Sequence, residues 1–167
     1  LARVEQHGML CFAELWRTRA SRAAWRVACR SVAPPAVVIV PTVGRPGYLD
    51  VTLGALTAQV AAAGADLLGV ADGPSDDACA AAERHGARFV AHERRRGLNV
   101  ARNTGIACSE APLLCYVDDD VRVHDGWLAA LIDGDRREPD DVAILTGPIV
   151  ARLEGRALHV CGREGPP

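Results

Sequence analysis

Five apolar residues in succession, Ala36-Val37-Val38-Ile39-Val40, are closed by Pro41. Four of the five are β-branched and the run is too short for a buried helix, so it reads as a strand covered on both faces. Such a strand needs helices above and below its sheet, and the following sequence supplies them. Leu49, Leu53, Leu56 and Val60 recur at spacings of four, three and four, which predicts a helix over residues 48–63 with one buried stripe, stopped by Gly64. A second strand is expected over residues 66–71. Ser75 then caps a helix that carries Asp76 and Asp77 in its first turn and ends at Arg84-His85-Gly86. Further on, the pattern predicts strands over residues 87–92, 112–117 and 142–146, and helices over residues 99–108 and 126–137. The resulting fold class is α/β, with a doubly wound, mostly parallel sheet and helices on both faces.

A chain of 167 residues has room for one ordinary domain, and 49% hydrophobic with 24% charged residues is a globular balance. The charge is unevenly placed. Residues 1–35 hold six arginines against two acids, a net +4, whereas the remainder holds thirteen arginines against nineteen acids, a net −6. Two segments with different tasks are implied: a basic helical arm over residues 1–35 and a folded domain over residues 36–167. The arm suits either an anionic membrane surface or packing against the domain, or it is sequence upstream of the domain proper.

All 19 basic residues are arginine. With no lysine there is no P-loop phosphate ligand and no Schiff-base amine. No G-x-G-x-x-G follows the first strand, which argues against a nicotinamide or flavin cofactor, and no Gly-x-Ser-x-Gly elbow occurs. Cys11, Cys29, Cys79, Cys108, Cys115 and Cys161 form no C-x-x-C pair, so neither a zinc site nor a disulfide framework is suggested, and they read as thiols in a reducing compartment. No apolar stretch approaches the roughly 20 residues of a membrane span, and a cytoplasmic location is expected, with the inner membrane face as the place the basic arm would touch.

Ligands of an open parallel sheet bind beyond the carboxyl ends of its strands. Pro41-Thr42-Val43-Gly44-Arg45, Asp72-Gly73, Arg94-Arg95-Arg96 and Asp118-Asp119-Asp120 all fall there. Three consecutive carboxylates repel one another, and a divalent cation relieves that repulsion. Hard oxygen donors select Mg²⁺ or Mn²⁺, completed by water and substrate phosphate. An EF-hand does not fit, because Val121-Arg122-Val123 stands where alternating oxygen ligands are needed. Arg102 and the loop arginines suit a diphosphate, and Asp72 suits a base or ribose.

Four segments in order resemble the family-2 glycosyltransferases of the GT-A fold, a Rossmann-like architecture. Ala36-Val-Val-Ile-Val-Pro-Thr42 with Arg45 looks like their opening strand and nucleotide loop. Val70-Ala71-Asp72-Gly73-Pro74-Ser75-Asp76 is similar to "V-D-D-G-S-x-D", Gly97 to Gly105 to "G-x-x-x-A-R-N-x-G", and Tyr116-Val117-Asp118-Asp119-Asp120 to the "F-L-D-D-D" metal motif. The resemblance covers residues 36–150. It implies a nucleoside diphosphate sugar donor held by Pro41, Thr42, Arg45, Asp72, Arg102, Asp118 and Asp119, and Mg²⁺ or Mn²⁺ on Asp120 and Asp118. It also implies inverting transfer to an acceptor hydroxyl of a glycan, lipid or small molecule, with no nucleic acid among the partners.

Two departures stand out. Ala71 replaces the first of two acids. Members place their general base well downstream of the metal motif, so this chain is expected to stop short of it, and the catalytic base stays unassigned. A non-catalytic nucleotide-binding or interaction module and a sugar-phosphate nucleotidyltransferase are the other readings. The second usually opens with a Gly-rich loop, which Pro41-Thr42-Val43-Gly44-Arg45 does not match.

Overall fold

The computed structural model describes residues 33–139 and 141–147. The basic arm, apart from its last residues, and the end of the chain beyond Gly147 lie outside these residues. Eight elements alternate: β1 (Ala36–Thr42), α1 (Pro46–Ala63), β2 (Asp66–Ala71), α2 (Asp76–Arg84), β3 (Arg88–Ala91), α3 (Leu98–Ala107), β4 (Leu113–Tyr116) and α4 (Trp127–Arg137). The four strands form one sheet in the order β3-β2-β1-β4, and every neighbouring pair is parallel. This is the parallel, helix-covered sheet expected from the sequence.

All seven residues of β1 are buried, as continuous apolarity at a central strand requires. Val38 and Val40 join the core that holds Leu49, Leu53 and Leu56 of α1, Ala78, Ala81 and Ala82 of α2, and Leu128 of α4. Val37 and Ile39 point the other way, against Leu68, Val70 and Ala101 of α3. Each fully buried aliphatic side chain is worth about 1.5–3 kcal/mol, so the four-residue stripe of α1 is a main term holding that helix to the sheet. Pro46 opens α1, where its missing N–H costs nothing, and Gly64 ends it at φ 62°. At α2 the Ser75 hydroxyl accepts from the Ala78 N–H at 3.3 Å, and Asp76 and Asp77 sit in the first turn.

The fifth strand expected over residues 142–146 is not formed. Val142 follows a turn in which its N–H bonds the Pro139 carbonyl at 3.0 Å, and Ile144 is 83% exposed. A short apolar run becomes a strand only if a ladder partner takes its N–H and C=O groups, and these residues pair with no strand of the sheet. No helix among the described residues is long and apolar enough to cross a membrane.

Chain order reverses at the centre of the sheet. From β1 the chain moves outward through β2 to β3, then crosses back to place β4 on the other side of β1. The crevice beyond the carboxyl ends of β1 and β4 is therefore the topological switch point.

Candidate functional site

Thr42 ends β1, and Asp118-Asp119-Asp120 follow β4 after Val117, so the switch point brings Thr42 and Asp119 together across 77 positions of sequence. The three aspartates do not behave alike. Asp119 turns inward and is 2% exposed. Its carboxylate accepts from the Thr42 hydroxyl at 2.6 Å and from the Arg45 guanidinium through Nε at 3.3 Å and through Nη2. Its main-chain oxygen accepts from the Thr52 hydroxyl of α1 at 2.8 Å, and the same hydroxyl lies 2.9 Å from the Val121 oxygen. A buried carboxylate is tolerated only when its oxygens are satisfied, and here β1, α1 and the loop after β4 all contribute.

Asp118 and Asp120 face outward, with side chains 56% and 45% exposed. Arg102 of α3 donates to Asp118 at 3.2 Å, and Arg45 Nη1 donates to Asp120 at 3.2 Å. The like-charge repulsion of the motif is thus relieved in two ways, by turning the middle carboxylate inward and by flanking the outer pair with guanidinium groups. Arg45 also lies over the Tyr48 ring, 5.3 Å from its centroid. The Asp119 hydrogen bond holds the Arg45 guanidinium above its ordinary pKa, against the opposing effect of burial.

Among the described residues no three His, Cys, Asp or Glu side chains converge as a cation cage. Two outward carboxylates still match what Mg²⁺ or Mn²⁺ asks of a protein, because these ions keep waters and take their other ligands from phosphate oxygens. The donor set fits a cation shared with a diphosphate.

Asp72 was expected at the site from its strand-end position, but the sequence did not show which groups hold it. One residue beyond β2, its N–H bonds the Thr42 oxygen at 2.8 Å and its side chain is 6% exposed. Oδ1 accepts from the Arg96 N–H at 2.7 Å and Oδ2 from the Gly97 N–H at 2.9 Å. His92 Nδ1 lies 3.2 Å from Oδ1, and its Nε2 lies 2.9 Å from the Thr104 hydroxyl. Burial pushes the Asp72 carboxyl up, but the N–H groups of Arg96, Gly97 and His92 outweigh it and leave the pKa lowered. Of the residues expected to meet the donor, Pro41, Thr42, Asp72 and Asp119 are buried, whereas Arg45, Arg102 and Asp118 reach solvent, as does Asp120, expected on the metal. Thr52 and His92 were not singled out by sequence. A threonine among the buried α1 positions and a histidine ending an apolar strand were the available signals.

The Asp72 clamp carries a pH prediction. A carboxyl whose folded pKa is depressed stabilises the fold fully above its unfolded value, about 3.9, and that contribution is lost as pH falls through the lower folded value. In an NMR titration the amide protons of Arg96 and Gly97 should hold their shifts above about pH 4 and move upfield together below it. Amide shifts that stay constant down to the acid unfolding transition would remove the clamp.

A parallel α/β sheet with paired outward carboxylates at its switch point is an open Rossmann-like architecture with its candidate ligand site beyond the strands' carboxyl ends. The chain belongs to glycosyl transferase family 2, whose model matches residues 37–156. It is similar to the crystal structure of S. aureus TarS 1–349, with a TM-score of 0.51 and 22% identity over 60% of this chain and 33% of that one. It also matches the mannosyltransferase PcManGT from Pyrobaculum calidifontis, solved with GDP-Man and Mn²⁺, with a TM-score of 0.44 and 20% identity over 59% of this chain and 32% of that one. The first of these likenesses shows the shared fold. The chain spans about a third of the TarS structure's length. No curated protein matches it.

Proposed function

We propose that this domain binds the nucleoside diphosphate sugar donor of an inverting glycosyl transfer, together with Mg²⁺ or Mn²⁺ held by Asp118 and Asp120. The observation that carries this reading is the pair of outward carboxylates at the β1/β4 crevice, each flanked by an arginine. Arg102 and Arg45 are placed to meet the donor phosphates, and the planar guanidinium suits bidentate contact with them. Asp119 and Thr42 hold this arrangement from below. When bound, the cation would neutralise charge developing on the leaving diphosphate. In the displacement an acceptor oxygen bonds to the anomeric carbon as the bond to the diphosphate oxygen breaks, with inversion, and a carboxylate general base takes the acceptor proton.

The test is calorimetry of UDP and GDP with Mn²⁺ or with chelator. Binding confined to the metal-containing titrations is expected, because the exposed carboxylates otherwise repel the diphosphate. Equal affinity in both conditions would remove the metal role, and absence of binding in both would remove the donor site.

A further inference from the structure

We infer that the hydrogen-bonded chain Asp72–His92–Thr104 is a positioning device for donor binding, which holds α3 at two points and thereby places Arg102 at the diphosphate. The inference rests on the donor-binding reading above and extends it to residues that touch no ligand.

Asp72 grips the start of α3 through the N–H of Gly97, the residue that caps the helix without any side-chain bond. His92 grips the same helix at Thr104, seven positions further on, or about two turns. A carboxylate can only accept, so the Nδ1–H of His92 donates to Asp72, and Nε2 shares a hydrogen bond with the Thr104 hydroxyl. Between the two holds stands Arg102, whose guanidinium reaches Asp118 at 3.2 Å. The inner side of the helix meets the sheet through Ala101 and through Gly105, where there is no room even for a methyl group beside Ile39. Contact on that side alone leaves α3 free to roll, whereas bonds at Gly97 and Thr104 do not. A binding group has to be held within about 0.5 Å of its productive place, so the holds matter to Arg102 more than to the fold as a whole.

This assignment gives Asp72 a task other than reading the base. Three donors meet its two oxygens, which leaves about one of their four acceptor sites for any further partner.

The test is a double-mutant cycle on the full chain, reading the Kd of UDP or GDP with Mn²⁺ by calorimetry and folding by thermal unfolding. Thr104→Val removes the hydroxyl and keeps the shape, and it should weaken affinity on the order of three- to tenfold, the value of one hydrogen bond. Thr104→Ser should restore affinity to within about twofold. In an Arg102→Ala background the Thr104→Val loss should nearly vanish, because a residue that acts through Arg102 has nothing left to place. Should Thr104→Val not fold, Thr104→Ala takes its place with the same expectations. Wild-type affinity in Thr104→Val, no rescue by serine, or an undiminished loss in the Arg102→Ala background would overturn the inference while leaving donor binding intact. A wild-type chain that binds neither nucleotide would overturn both.

Discussion

Gly54→Ala and Gly105→Ala make the same change in two helices of one sheet, and stability should move in opposite directions. Both glycines lie inside helices with φ outside the left-handed region, so alanine gains about 0.5–1 kcal/mol at each from a less flexible unfolded chain. At Gly54, on an exposed part of α1, a Cβ meets only the His85 ring edge at 3.4 Å, an ordinary contact, and the gain should be kept. At Gly105 a Cβ would stand 2.5 Å from Ile39 Cγ2 and 3.1 Å from its Cδ1. Ile39 is fully buried in the central strand and is β-branched, so its freedom to turn aside is small. Overpacking of this kind costs about 1–3 kcal/mol for a single added methyl and more for Gly105→Val, which exceeds the propensity gain. Denaturant titration should show a higher midpoint for Gly54→Ala, a lower one for Gly105→Ala, and Gly105→Val lower still or unfolded. A Gly105→Ala midpoint at or above wild type would mean that α3 does not lie this close to the sheet.

The alternation of strands and helices was readable from the sequence, while the order of the strands and the details of the site were not. β1 declared itself because four consecutive β-branched residues have no other economical place, and the α1 stripe because Leu49, Leu53, Leu56 and Val60 are one face at helical spacing and are all buried. Ser75 was legible because a cap is a local bond, made to the residue three places on. Residues 142–146 misled by the same rule: their apolarity is local, but a strand also needs a neighbour, and no local signal reports one.

The site followed the same division. The strand-end position of Asp118-Asp119-Asp120 could be read, because strand boundaries can. Which aspartate turns inward could not, since the partners that satisfy Asp119 come from Thr42 and Arg45, more than seventy positions earlier. Asp72 stood out as an acid at a strand end, yet two of its three donors are backbone N–H groups, which carry no residue signature. Gly105 appeared within a motif without a reason, and the Ile39 side chain beneath it is the reason.

Asp119→Asn and Asp120→Asn, one position apart, should separate stability from binding. At Asp119 the substitution replaces one oxygen of a buried carboxylate with an NH₂ that faces donors, so either the Thr42 hydroxyl or the Arg45 guanidinium loses its acceptor. Leaving a buried polar group unsatisfied costs about 1–3 kcal/mol, and more for a charged one, which thermal unfolding will show directly. At Asp120 the ion pair among the described residues is with Arg45, both side chains being over two-fifths exposed, and exposed pairs contribute about 0–1 kcal/mol. Asp120→Asn should therefore unfold close to wild type. Its effect should appear in binding, where an amide is a poor substitute for a carboxylate on a hard divalent cation. The Kd for UDP or GDP with Mn²⁺ should rise at least about tenfold, which corresponds to about 1.4 kcal/mol. In chelator the order should not persist: with one fewer negative charge facing the diphosphate, the variant should bind no more weakly than wild type. An Asp120→Asn protein that folds normally and keeps wild-type affinity with Mn²⁺ would take Asp120 off the cation. A variant equally impaired with and without metal would instead assign Asp120 to the nucleotide itself.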